Sequence, residues 1–320
     1  MINMDDPRHA RLRRIVSRAF TPKRVGRAEQ TVREVARSIV EGVMEMGSFD
    51  FVTDVACELP LRVICDMMGV PDSHYRYVLE RTNAILGASD PEFLPEGTDI
   101  FTAVLNGGIE LAELMKDLGR EREHHPREDL TSDLVSAEVD GERLSADELA
   151  SFFILLVVAG NETTRNALSW GLVALSEHPD QRAAWVADLE GLAPSAVEEI
   201  VRWSTPVIQM RRTLTRPFAM GDQHFEEGEK VLLFYNSANR DEKAFADPFV
   251  FDLSRKDNRH VGFGGYGPHF CLGAHLARRE ISVMFRELLS RMPSITAVGE
   301  PQRLRSLFVN GIKHLPAAGS

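Results

Sequence analysis

The sequence predicts a mainly α-helical protein with short antiparallel strands confined to its last third. Three observations carry this. Apolar residues recur every three or four positions over most of the chain. A capping box, Ser145 to Glu148, opens a helix that can run to about Glu177. Residues 211–235 alternate instead, with turn signals at Gly221–Asp222 and Glu227–Gly228.

In chain order, Asp6–Pro7 opens a helix with Leu12, Ile15, Val16 and Ala19 on one side, and Thr21–Pro22 interrupts it. A second helix follows to about Met46, and a third covers Val52 to Met68, ending at Gly69–Val70–Pro71. The third encloses Cys57 and Cys65, which read as core thiols. Residues 87–99 are rich in Gly, Pro, Asp and Glu and read as a loop; the charged run 120–132 reads as another exposed connection.

The helix from Ser145 would be roughly 48 Å long at ~1.5 Å per residue, the width of a domain. Its first half is apolar on nearly all sides, which predicts a central buried element. The run Ala159-Gly160-Asn161-Glu162-Thr163-Thr164 then breaks the pattern. Gly costs about 1 kcal/mol in a helix interior, and an unpaired buried carboxylate costs more. A surface patch is the plain alternative, but a buried helix that breaks its own rules points to a site. Pro194 starts the next helix, which ends at Thr205–Pro206 and places Glu199 and Arg202 one turn apart, able to pair. That spacing alone says little, since Glu34/Arg37 and Glu300/Arg303 repeat it. An Asn-, Asp- and Pro-rich meander follows the strands to about residue 260.

Composition narrows the function classes. With 43% hydrophobic and 27% charged residues the chain is an ordinary folded protein, and its 320 residues suit either two domains or one large α-rich domain. Three widely spaced cysteines make no disulfide framework, so a reduced, cytoplasmic setting is expected. The longest apolar run, Phe152 to Ala159, is too short to span a bilayer. Net charge is −11, yet ten Lys/Arg and only two acids lie between Arg8 and Arg37. Such a segment is either a solvated helix face or a surface for an acidic partner. With Phe20 the only interleaved aromatic, nucleic acid is disfavoured.

The most informative stretch runs from His260 to Gly273. Four glycines and Pro268 within residues 262–268 make a loop that can approach a flat ligand closely. A strong amphipathic helix, Ala274 to Met292, follows at once, so Cys271 sits at a helix N-terminus. Backbone N–H groups there are expected to lower the thiol pKa and stabilise a thiolate, as an iron ligand requires. A structural cysteine, a Cys–His pair with His269, and a zinc site with His260, His269 and His275 are rivals. Zinc would want a second nearby cysteine, which is absent. A thiol nucleophile stays open on this loop alone.

With its companions, the loop resembles the haem-thiolate cytochromes P-450 of the soluble bacterial type. The resemblance rests on Phe263-Gly…Gly-x-His269-x-Cys271-x-Gly273, Ala159-Gly160-x-Glu162-Thr163, Glu199-x-x-Arg202, His9-x-x-x-Arg13 and Arg212-x-x-Thr215, in that family's order and spacing. It implies the P-450 fold, with haem b held by Cys271 and His9, Arg13, Arg212 and His269 anchoring the propionates. Ala159 and Gly160 would leave a groove for O2, and Glu162 and Thr163 would be the acid–alcohol pair that relays protons. Glu199–Arg202 would be a structural pair. Electrons would come from NAD(P)H through ferredoxin reductase and a ferredoxin, the latter docking near the basic stretch.

Three departures stand out. Phe263 to Cys271 carries one extra residue, and the arginine that usually completes the Glu-x-x-Arg network would fall near Val250 and is absent. Both are similar to the actinobacterial branch that oxidises methyl-branched lipids and sterol side chains, as is the tail from Pro301 to Leu315. Terminal (ω) hydroxylation of such a chain is therefore expected, in an apolar pocket lined by Val207, Ile208, Met210 and Phe308. Third, the family normally carries a further segment, with a small sheet, before the helix holding His9. Residues 1–320 are thus expected to be one N-terminally incomplete monooxygenase domain. The alternatives are a haem-binding fragment without catalysis and a non-haem α-helical binding module.

Overall fold

A computed structural model describes residues 1–19, 22–94 and 96–319, and their side chains outside 18–27. Local signals set most element boundaries. Helix α1 (Arg8–Ala19) follows Asp6, whose carboxylate accepts from the Ala10 N–H at 3.0 Å. Helix α2 (Pro22–Met44) begins on the proline that breaks the pattern, where a missing N–H costs nothing. Strand β1 (Ser48–Asp50), a π-helical turn at Val52–Ala56 and α3 (Glu58–Met68) come next. Helices α4 (Tyr75–Leu86), α5 (Ile100–His124) and α6 (Leu130–Ser136) follow, the last two capped by Asp99 and Asp129. Both bonds of the expected capping box open α7 (Ala146–Glu177), at 3.1 and 3.2 Å. Helices α8 (Pro179–Ala187) and α9 (Ala193–Ser204) precede strands β2 (Gln209–Thr213), β3 (Phe218–Met220), β4 (Gln223–Phe225) and β5 (Lys230–Phe234). Helices α10 (Tyr235–Ala238) and α11 (Ala274–Arg291) and strands β6 (Thr296–Ala297), β7 (Gln302–Arg303), β8 (Ile312–His314) and β9 (Pro316–Ala318) complete the order.

Helix α7 threads two apolar clusters. Leu149 to Val157 pack with Leu61, Ile64, Met68, Leu111 and Met115, while Ala167 to Leu175 pack with Val40, Ile200, Phe285 and Leu288. Each such Leu, Ile or Phe contributes about 1.5–3 kcal/mol on burial. The expected polar interruption lies between the clusters, with Asn161, Glu162, Thr164, Arg165 and Asn166 all buried. Glu280 of α11 is buried as well and makes no hydrogen bond through Oε1; burial pushes its carboxyl up to about 8, with the Thr164 hydroxyl pulling the other way. The folded state therefore holds this proton more tightly than the unfolded chain. The stability it confers is complete below about pH 4.5 and is lost as pH rises toward 8. Glu280→Gln should match wild type at pH 4.5 and exceed it by a few kcal/mol at pH 8.5. Denaturant titrations at the two pH values check this, and equal gaps at both would refute it.

Three sequence expectations need correction. Strands are not confined to the last third: β1 pairs antiparallel with β9, Ser48 opposite Ala318 and Asp50 opposite Pro316. Three residues are too few to show alternation, and the partner lies at the other end of the chain. The helix expected from Val52 to Met68 is present, but its first turn is π-helical and hands over to α3 at Cys57, whose backbone stays in the α region. The run 120–132 is an exposed connection only between α5 and α6, at residues 125–128. Helix α5 continues to His124, and Arg122 is buried, bonded to the also buried Asp129 and to Gly69 O at 3.0 Å. A charge reads as surface in a sequence; here an opposite charge and a carbonyl hold it inside.

The remaining strands form separate antiparallel pairs, β2 with β5, β3 with β4 and β7 with β8. Loop 87–99 is tied to β8 by Lys313, which reaches Asp90 at 3.1 Å and Glu92 at 2.7 Å, and by His314, which reaches Glu92 at 2.8 Å.

Candidate active site

The cysteine loop turns on Gly264 and Gly267, at φ 88° and 135°, values a side chain would strain. The Cys271 N–H donates to Phe263 O at 3.0 Å, and α11 begins three residues on. Cys271 is exposed, whereas Cys57 and Cys65 are buried. Burial pushes the Cys271 thiol above its ordinary value; the Gly273 N–H, Arg13 and Arg278 oppose this without overcoming it. The lowered pKa expected from a helix N-terminus is thus not found. One face of the residue is open while protein encloses the sulfur elsewhere, and desolvation outweighs the backbone donors.

Around the thiol, α1 and the loop meet. Arg13 donates to Phe270 O at 2.6 Å, and the His9 and His269 rings lie 4.1 Å apart. Buried His9 leaves Nδ1 without a hydrogen-bond partner, the Asp6 carboxylate standing 3.5 Å from it. Burial lowers the His269 pKa, and the charges of His9, Arg212 and Arg13 lower it further, with Asp5 opposing. An accessible thiol, an orphaned imidazole nitrogen and converging cationic groups fit a haem, whose propionates would supply the missing negative charge. Zinc fits less well: among the described residues no group of three His, Cys, Asp or Glu could hold a metal ion.

On α7, Leu155, Ala159 and Thr163 stand four apart on one side of the helix, Ala159 exposed and the other two partly buried, so that a stripe is left open there. Gly160 does not share it: a Cβ there would come within 2.6 Å of Ile64 Cδ1, so its smallness serves packing on α3. Thr163 Oγ1 donates to Ala159 O at 2.7 Å. Glu162 turns instead to buried Arg165 and leaves Oε1 unpartnered, so acid and alcohol are neighbours in sequence but not bonded. Burial raises the Glu162 carboxyl above its usual range, with Arg165 pulling it back.

Glu199 and Arg202 are fully buried and paired through two bonds of 2.7 Å. The absent arginine near Val250 has a substitute that sequence reading missed: Arg255 reaches Glu199 at 3.1 Å and the carbonyls of Ala246, Asp247 and Val250. Asn258 adds a third partner at 3.0 Å. An arginine five residues downstream was visible, but only the meander's path brings it to Glu199.

Val207 and Ile208, just before β2, run beside Phe308 and Val309, and Met210 follows within β2. Val207 bridges Val309, and Ile208 N donates to Phe308 O at 2.8 Å. Ile208, Met210 and Arg212 share one face at the two-residue period of β2. An open cleft of about 990 Å³ is lined by Arg212, His269, Tyr235 and the loop glycines. It stops short of Cys271, Ala159 and Thr163, so it flanks the thiol and is not itself the pocket.

Much of the basic stretch is spent internally. Arg11 pairs with Glu142 and Glu148, Arg14 with Asp140 and Arg33 with Glu29. The side chains of Arg18, Lys23, Arg24 and Arg27 lie outside the described residues. No helix among the described residues is long and apolar enough to cross a membrane.

Known proteins share this arrangement. The family model for cytochrome P450 matches residues 1–192 and 186–296. The methyl-branched lipid omega-hydroxylase of Mycobacterium tuberculosis is 53% identical over 323 residues, spanning all of this chain and 74% of that protein. The steroid C26-monooxygenase of the same species is 42% identical over 315 residues, 98% of this chain and 70% of that protein. A Mycobacterium marinum cytochrome P450 solved in complex with pseudoionone superposes with a TM-score of 0.93 at 45% identity, covering 98% of this chain and 76% of that one. Likeness at this level, over nearly the whole chain and in both sequence and fold, is far beyond what one shared loop could produce, and the chain belongs to the cytochrome P450 monooxygenase family.

Proposed function

We propose that this chain hydroxylates the terminal carbon of a methyl-branched lipid or sterol side chain, using haem held by Cys271. The observation that carries the haem-thiolate part is the placement of the one exposed cysteine at the mouth of α11, beside His9, Arg13 and His269. The substrate class is supported by the names of the two relatives and by the apolar group Val207, Ile208, Met210 and Phe308.

Haem bound there supplies dioxygen activation, one oxygen atom entering the C–H bond and the other leaving as water, at the cost of two electrons and two protons. The chain's own residues do the rest. Cys271 gives the iron an electron-rich ligand. His9, Arg13, Arg212 and His269 take the propionates through charge-assisted bonds. Glu162, whose carboxyl burial raises above its usual range, would be the acid of the proton relay. Thr163, on the open stripe, holds its hydroxyl proton toward Ala159 O and offers its lone pairs to the site. The electrons come from NAD(P)H through ferredoxin reductase and a ferredoxin, whose acidic face suits the basic stretch from Arg8 to Arg37.

Thr163→Ala should keep the thiolate-type carbon monoxide spectrum and lower the ratio of product formed to oxygen consumed at least several-fold. Unchanged coupling would remove Thr163 from the proton path. Product analysis with a methyl-branched fatty acid and with a sterol bearing an intact side chain tests the regiochemistry. Oxygen found mainly on in-chain carbons would overturn the terminal assignment.

A further inference from the structure

His260 and Glu198 were left without a role by the zinc and Glu-x-x-Arg readings, yet they meet behind the cysteine loop. The His260 Nδ1 accepts the Gly262 N–H at 3.0 Å, so the ring proton sits on Nε2. That nitrogen donates to Glu198 Oε2 at 2.9 Å. Arg278 of α11 forks onto the same carboxylate, at 2.5 Å to Oε1 and 2.9 Å to Oε2. Its guanidinium also lies 4.3 Å from the centre of the Phe263 ring. Phe263 in turn supplies the carbonyl that receives the Cys271 N–H. One carboxylate on α9 therefore grips the loop's first residue directly and, through Arg278, the ring that precedes the thiol. Burial would raise that carboxyl, but the bonds from His260 and Arg278 prevail and hold it down to about 2. It is charged at neutral pH.

We propose that Glu198 is a positioning residue for the iron ligand: through His260 and Arg278 it fixes Phe263 and the Cys271 loop, and it neutralises the Arg278 cation beside them. The proposal rests on the haem-thiolate reading for its electronic half and on the loop geometry alone for its mechanical half. Without Glu198, the ring of His260 loses its acceptor and Arg278 keeps an uncompensated charge next to the loop. Extra positive charge favours the reduced iron, and a released loop leaves the thiol more mobile.

Glu198→Gln separates these effects, because the amide keeps the volume and drops the charge. In the haem-loaded protein the midpoint potential should move upward by about threefold in the reduction equilibrium, roughly 30 mV for one electron. In the haem-free full chain, iodoacetamide should alkylate Cys271 several-fold faster than wild type, with buried Cys57 and Cys65 silent. Glu198→Gln with Arg278→Met removes both charges; the potential should return toward wild type while alkylation stays fast. Arg278→Lys, which keeps the charge and loses the fork, should leave the potential near wild type and speed alkylation. A merely stabilising Glu198 would lower the melting temperature and leave potential and alkylation unmoved, and that result overturns the proposal. If the wild type shows no thiolate-type carbon monoxide band, the haem reading fails first, and the alkylation rates still decide the mechanical half.

Discussion

Cys271→Ala should abolish the thiolate-type carbon monoxide band completely. No other residue can take over, because the remaining thiols are shut away: Cys57 and Cys65 are buried, and burial pushes Cys65 up to about 12. Neither can ionise near neutral pH or approach a ligand in the loop. Cys57→Ala and Cys65→Ala are the controls and should each retain the band, with some loss of stability from the vacated volume. Haem can still lodge in the Cys271→Ala protein against His9 and His269, and its band would then report neutral ligation. Retention of the red-shifted band in Cys271→Ala would show that the assignment of the iron ligand is wrong.

Arg202→Ala prevents the chain from reaching a stable fold. The guanidinium donates to both oxygens of Glu199 and to the carbonyls of Asn239, Pro248 and Val250 at 2.9, 2.8 and 3.2 Å. Truncation strips the buried carbonyls of Asn239 and Pro248 of a donor and leaves Glu199, also fully buried, with too little positive charge. Removing one partner of a buried pair costs about 3–5 kcal/mol, a large part of the roughly 5–15 kcal/mol by which a domain is stable. The meander that Arg202 secures leads into the cysteine loop, so lost haem uptake should accompany lost stability. Arg255→Lys makes the graded comparison. Arg255 lies at the edge of the network, and loss of its fork should cost about 1–2 kcal/mol and leave a foldable protein. Denaturation midpoints of the two variants check the order, and a stable, haem-competent Arg202→Ala would refute the argument.

The same network marks where sequence reading stops. Glu199 and Arg202 were legible as a pair because three residues on a helix fix their separation. Arg255 was not, because its approach depends on the path of the 51 residues that follow α9. Nor did the sequence tell that Glu162 bonds Arg165 instead of Thr163. Arg165 stands at the same three-residue spacing and meets Glu162 on the enclosed face of α7, while the adjacent Thr163 lies toward the open one.

By itself the sequence determined the long central helix, its capping box, its polar interruption and the loop that presents Cys271. All four depend on interactions within a few residues, which leave a mark in spacing and residue type. Tertiary structure alone decided that β1 would pair with β9, that Arg122 would be held inside by Asp129, that Arg255 would complete the Glu199 network and that burial would raise the Cys271 thiol. Each of these joins residues brought together by the path of the chain, or depends on how much water that path excludes. Spacing carries no record of either, so such features appear only once the helices have packed.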